Sequence, residues 1–174
     1  MKKALVCSLL ALVFAGGCRN YSWRSWIPED MRSVSVPVFV NETNVTELGP
    51  IAARQVLREF QREGTFKVKR DGEAALEIQG VIKKVGGSAV SYNRRSGLRH
   101  SSYDFTADVE VSIIDKRKGR VVIDNRKYVA RTTFAVNQDI ITARRDAANR
   151  LAEDLARQVV DDALSLEWEE GEKQ

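Results

Sequence analysis

Five cations stand close together in the middle of the chain: Lys83, Lys84, Arg94, Arg95 and Arg99, with Tyr92 among them and no acidic residue from Lys83 until Asp104. Guanidinium forks match the geometry of phosphate oxygens, and like charges gathered on one segment raise the local potential, so the pattern suits a polyanion. A solvated basic surface is the plainer reading of the same residues. Other chemistry-bearing residues are sparse. His100 is the sole histidine, so a Ser-His-Asp triad or a His-based metal site would rest on one residue of a Ser/Arg-rich loop, beside Ser101 and Ser102. Asp104, Asp108 and Glu110 share one strand face and could hold a hard cation or act as paired carboxylates. A water-facing sheet surface explains them more simply. Gly86-Gly87 falls inside a strand-like run and not at a strand-to-helix turn, which argues for a bulge or bend and against a phosphate loop. The pattern points to a binding protein, not an enzyme, with no metal and no cofactor.

Where such a protein would work is read from Cys18. Lys2 and Lys3 form a positive start, Ala4 to Phe14 an apolar run too short to cross a hydrocarbon core of ~30 Å, and Ala15-Gly16-Gly17 supply small residues before the cysteine. This is the pattern of a bacterial lipoprotein signal, in which Cys18 is acylated and becomes the mature N-terminus, although Ala15 stands where leucine is usual. An ordinary secretory signal with an incidental cysteine is the alternative. Arg19 stands where inner-membrane retention would use aspartate, so outer-membrane sorting is expected. Residues 1–17 carry two lysines and no acid, and losing them lowers the net charge from +4 to +2. That excess is too small to argue for nucleic acid. Cys7 leaves with the leader and Cys18 takes the lipid, so packing alone must hold the fold.

The elements that would position the cations follow from hydrophobic period. Val34, Val36, Val38 and Val40 alternate, predicting a strand with one apolar face, and Pro37, which lacks a donor, marks an edge or an irregularity. Thr46 and Pro50 open a helix with its stripe at Ala53, Val56, Leu57 and Phe60, and Gly64 closes it. A short extended piece, Thr65 to Lys69, precedes a turn at Asp71-Gly72. Leu76, Ile78, Gly80 and Ile82 then give a strand, joined by a long excursion from Lys83 to Ser102 to a second strand with Tyr103, Phe105, Ala107, Val109, Val111 and Ile113 on one face. A turn at 116–119 leads to a third, Arg120 to Phe134. From Asp139, Ala147, Ala148, Leu151, Leu155, Val159 and Ala163 predict a helix of about seven turns. The expected fold is α+β, a mostly antiparallel four-stranded sheet with two helices packed on one face, in the order β-α-β-β-β-α. The expected divisions are a signal peptide at 1–17, a lipidated tether at 18–32 with Trp23 and Trp26, a domain at 33–166 and an acidic tail at 167–174.

In order and length these features resemble the lipopolysaccharide-assembly lipoprotein family, LptE. The likeness rests on Cys18 followed closely by Tyr21, the run Val34-Ser35-Val36-Pro37-Val38-Phe39-Val40-Asn41 into Glu42-Thr43, the helix after it, the meander and the long last helix. The resemblance implies two helices against a four-stranded sheet, and no enzymatic activity. It also implies a lipid-anchored protein on the periplasmic side of the outer membrane. There it would plug and help assemble a large β-barrel translocon, LptD, and contact lipopolysaccharide on its way to the outer leaflet. It implies lipopolysaccharide contacts at Lys83, Lys84, Arg94, Arg95 and Arg99. The competing expectation is a periplasm-facing lipoprotein that binds peptidoglycan or a small molecule without a barrel partner.

Overall fold

The computed structural model describes residues 27–93, 99–135, 140–166 and 168. Cys18, Arg94 and Arg95 lie outside them. Six strands form one sheet: β1 (Ser33–Ser35), β2 (Val40–Asn41), β3 (Lys67–Val68), β4 (Leu76–Asn93), β5 (Arg99–Asp115) and β6 (Arg120–Ala135). The order is β3-β1-β4-β5-β6, with β2 also on β4. Two helices, α1 (Leu48–Glu63) and α2 (Ile140–Ser165), complete the fold. The α+β class and the two-helix arrangement are those expected. The sheet is mixed, however, because β1 and β2 run parallel to β4, and β3 parallel to β1. The antiparallel part is the β4-β5-β6 meander.

The expected strand Ser33–Val40 is broken in two, and the break inverts its burial. Val34 is buried, but Val38 and Val40 are 66% and 59% exposed while Phe39 is 2% exposed. Pro37 cannot donate to the ladder, so the chain leaves β4 and returns with its faces exchanged. Two distant glycines make room for Phe39, one for its ring and one for its backbone. A Cβ on Gly80 would fall 2.3 Å from the Phe39 ring, and one on Gly49 would fall 2.5 Å from the Phe39 carbonyl oxygen.

The core lies between the sheet and the helices. Val109, Val111 and Ile113 of β5 are buried under α1, which contributes Leu48, Ala52, Val56 and Phe60, and α2, which contributes Ala147, Leu151, Ala152, Leu155, Ala156 and Val159. The alanines let α2 lie close to its neighbours. Gly64, at φ 82°, ends α1 by donating its N–H to the Phe60 carbonyl at 3.1 Å, as its left-handed conformation allows. Trp168 closes the core at the other end, donating to the Ala163 carbonyl at 3.2 Å and packing edge-on to Phe66. Among the described residues no helix is long and apolar enough to cross a membrane.

The excursion between the first two meander strands is mostly ladder. β4 and β5 stay paired from Leu76↔Asp115 to Asn93↔Arg99. An 18-residue β4 spans about 60 Å at roughly 3.3 Å per residue. Gly86 and Gly87 pair in regular register with Thr106 and Phe105, and the first register shift falls between Ile82 and Lys84. The bulge expected at the glycines therefore lies at Lys83, where one extra residue turns the following lysine to a new position.

The opposite end of this hairpin receives the start of the described chain. Ile27 and Met31 are buried there, and Arg117 of the β5–β6 turn is bonded to Asp30 and Met31. Asp115, fully buried, accepts the Arg117 and Lys118 N–H groups at 3.0 and 3.3 Å and fixes that turn. Lys116 pairs with the buried Glu77 at 2.7 Å.

Candidate ligand-binding surface

Of the five cations singled out by sequence, Lys83 and Lys84 lie well apart from Arg99 along the β4–β5 ladder, and Arg94 and Arg95 are outside the described residues. Lys83 sits at the bulge and is held by two carboxylates, Glu42 at 2.9 Å and Glu110 at 3.8 Å. The Glu42 carboxylate raises the lysine pKa above its ordinary value. Lys84, the next residue, stands opposite Asp108 in register and is exposed. No ion pair within 4 Å neutralises Lys84 among the described residues. Asn93↔Arg99 is the last described rung of the ladder, about 30 Å from Lys84 at roughly 3.3 Å per residue. His100 pairs with Tyr92 in the same terminal stretch.

The sheet surface opposite the helices carries the three acids. On β5, Glu110 lies opposite Lys127 of β6, Thr106 opposite Arg131 and Asp104 opposite Thr133. The Thr133 hydroxyl donates to Asp104 at 2.8 Å. Acids on the central strand are thus flanked by cations on both neighbours, Lys83 and Lys84 on β4 and Lys127 and Arg131 on β6. The charges on this surface are locally balanced, and Val129, 43% exposed, stands among them opposite Asp108. Among the described residues no group of three His, Cys, Asp or Glu side chains is placed to hold a metal ion.

Two concave surfaces lie elsewhere, and neither was singled out from the sequence. One, of about 620 Å³, opens where the chain leaves the sheet at Pro37 and is floored by Val36, Leu57 and Val68. The other, of about 330 Å³, lies between the loop before α1 and the early turns of α2, and is lined by Asn44, Thr46, Glu47, Arg144, Arg145 and Ala148. In the sequence Arg144 and Arg145 look like part of the polar side of a helix. Only folding brings the 44–47 loop against them. The adjacent arginines were the one legible signal.

A family model described as LptE, lipopolysaccharide-assembly, matches residues 31–163. The chain belongs to the LptE family. Membership places it in lipopolysaccharide assembly, as the resemblance implied. No curated protein matches the chain. Among solved structures, protein XCC0632 from Xanthomonas campestris has a TM-score of 0.56 at 10% identity, covering 83% of this chain and 88% of its own. A candidate lipoprotein from Caulobacter crescentus CB15 has a TM-score of 0.50 at 15% identity, covering 78% of this chain and 90% of its own. The rare lipoprotein B from Shewanella oneidensis is more distant, with a TM-score of 0.44 at 13% identity over 76% of this chain and 90% or more, 94%, of its own. The first two likenesses are of fold. The LptE match spans β1 to nearly the end of α2, so every strand described above lies within it or at its border.

Proposed function

We propose that this LptE-family chain is a lipid-anchored, non-enzymatic component of the outer membrane, acylated at Cys18 and facing the periplasm. It plugs and helps assemble an LptD-like β-barrel and binds lipopolysaccharide during delivery to the outer leaflet. The family match over residues 31–163 carries the reading, and two features of the fold support it. The sheet surface opposite the helices carries balanced rows of acids and cations, which suit the polar lumen of a large barrel. The β4–β5 hairpin, about 60 Å long, exceeds the apolar band of such a barrel, about 25 Å tall, so its tip can lie far from the anchored end.

Lipopolysaccharide binding falls to Lys83, Lys84, Arg94, Arg95 and Arg99. Lys84 and the arginines contribute most, because Lys83 already satisfies Glu42 and Glu110. Changing Arg94, Arg95 and Arg99 together to alanine should weaken lipopolysaccharide binding and flatten its salt dependence, with helix content by circular dichroism unchanged. Unchanged affinity in the triple variant would remove the hairpin from the account. The rival, a small-ligand lipoprotein without a barrel, draws on the 620 Å³ groove at Pro37. It requires the mature protein to purify alone.

A further inference from the structure

The geometry points to the groove between Glu47 and the Arg144–Arg145 pair as a second phosphate-binding site, separate from the hairpin and shaped for a phosphate monoester on a lipid headgroup. This rests on the lipopolysaccharide reading for its choice of lipid-borne phosphate. Three observations carry it. First, both guanidinium groups line one groove of about 330 Å³, with Asn44 and Thr46 on the facing wall as further hydrogen-bonding groups. Second, the groove's positive charge is held by a single, loosely placed carboxylate. Arg145 Nε lies 3.7 Å from Glu47, both side chains about 60% exposed at 63% and 60%, and Arg144 has no carboxylate partner among the described residues. Third, Glu47 occupies the N-cap position of α1 yet makes no side-chain cap hydrogen bond. Its carboxylate makes no cap hydrogen bond and lines the groove.

A carboxylate at that distance is a weak occupant. A phosphate monoester brings up to two charges and three acceptor oxygens, and arginine forks bind it through paired, charge-assisted hydrogen bonds. Phosphate would therefore displace Glu47 from Arg145 and engage Arg144 at the same time. The resident acid lowers affinity for competing weak anions without blocking a stronger one.

The test uses the mature full-length protein in detergent with two probes, lipopolysaccharide and inorganic phosphate, and three variants. Arg144→Ala with Arg145→Ala should lower lipopolysaccharide affinity by about tenfold or more, the loss expected on removing charge-assisted contacts to phosphate. It should also abolish the chemical-shift response to inorganic phosphate. Glu47→Gln should raise affinity for both probes by roughly two- to fivefold, the range of a surface ion pair. Enzymatically dephosphorylated lipopolysaccharide should bind the wild type and the double arginine variant equally. If Glu47 and Arg145 serve only to join the two helices, Glu47→Gln lowers the melting temperature and leaves affinity unchanged, and the inference is overturned. A response to inorganic phosphate with no arginine effect on lipopolysaccharide would mark a free-phosphate site and overturn the lipid assignment. A loss confined to the hairpin triple variant would overturn this inference while leaving the proposed function standing. If the wild type binds no lipopolysaccharide, the functional reading fails, and the phosphate arm alone decides whether the groove is a site.

Discussion

Phe39 illustrates how one side chain fixes the local path of the backbone. Its ring occupies space that a Cβ at position 80 would fill, and its carbonyl oxygen occupies space that a Cβ at position 49 would fill. Gly80→Ala should destabilise the protein by ~1–3 kcal/mol in urea unfolding through overpacking. In a Phe39→Ala background that cost should largely vanish, because the clashing partner is gone. Additive losses would show that the ring and the glycine are not coupled. The buried Glu77 gives a second prediction, in pH. The hydrogen bond from Lys116, followed by that from Gln79, lowers its pKa below the ordinary glutamate value. A folded pKa below the unfolded one adds stability that is present above about pH 4.3 and is lost as pH falls through the folded value. The stability gap between wild type and Glu77→Gln should therefore shrink on acidification below that pH. A gap that stays constant from pH 7 to pH 3 would contradict the assignment. Chemistry at single positions was only partly legible in sequence. The cations and acids could be named, but Glu42 as the partner of Lys83 lies far away along the chain and no local pattern announces it.

The two edges of the sheet are treated differently, and α2 protects one of them. On β6, Asp154 of α2 accepts the Arg131 N–H at 3.1 Å, and Gln158 is held to Asp154 at 3.0 Å. Lower down the same helix, Asp162 receives the Tyr128 hydroxyl at 2.7 Å and Arg126 at 3.0 Å. The first of these contacts satisfies an edge N–H that a free strand would offer to another chain, and the others tie α2 to β6 side chains. Asp154→Ala should cost about 1 kcal/mol and speed hydrogen exchange of the Arg131 amide in particular. Exchange unchanged at that amide would show that the carboxylate does not guard it. The turn at 116–119 placed β6 after β5, and periodicity was sufficient for α1, α2 and β5, whose apolar stripes are long and regular. It failed at β1 and β2, where alternating valines suggested one continuous face. Phe39 is buried instead of Val38 and Val40, and the slot for its ring depends on the remote Gly80. Periodicity also missed the distal half of β4, because glycine and serine carry no periodic signal even where the backbone ladder is intact. The two-residue β3 is too short to leave a pattern.

Taken as a whole, the molecule is polar along its length. Ile27 and Met31 bring the start of the described chain to the β5–β6 turn, while β4 and β5 carry their last rung, Asn93↔Arg99, to the far end about 60 Å away. A lipid on Cys18 would hold the first end near the inner leaflet and send the cationic end away from it. The helices cover one sheet surface and leave the other, with its acids flanked by lysine and arginine, to meet a polar wall. The LptE resemblance was legible before the fold was known because it rests on the order and length of the elements and on the run from Val34 to Thr43. The groove at Arg144 and Arg145 was not, because it is assembled from segments that are close only in space. The proposed function stands or falls on partnership with an outer-membrane barrel. Affinity purification of the mature, C-terminally tagged protein from detergent-solubilised outer membrane should recover a stoichiometric, heat-resistant complex with a large β-barrel. Recovery of the protein alone as a monomer would refute that partnership.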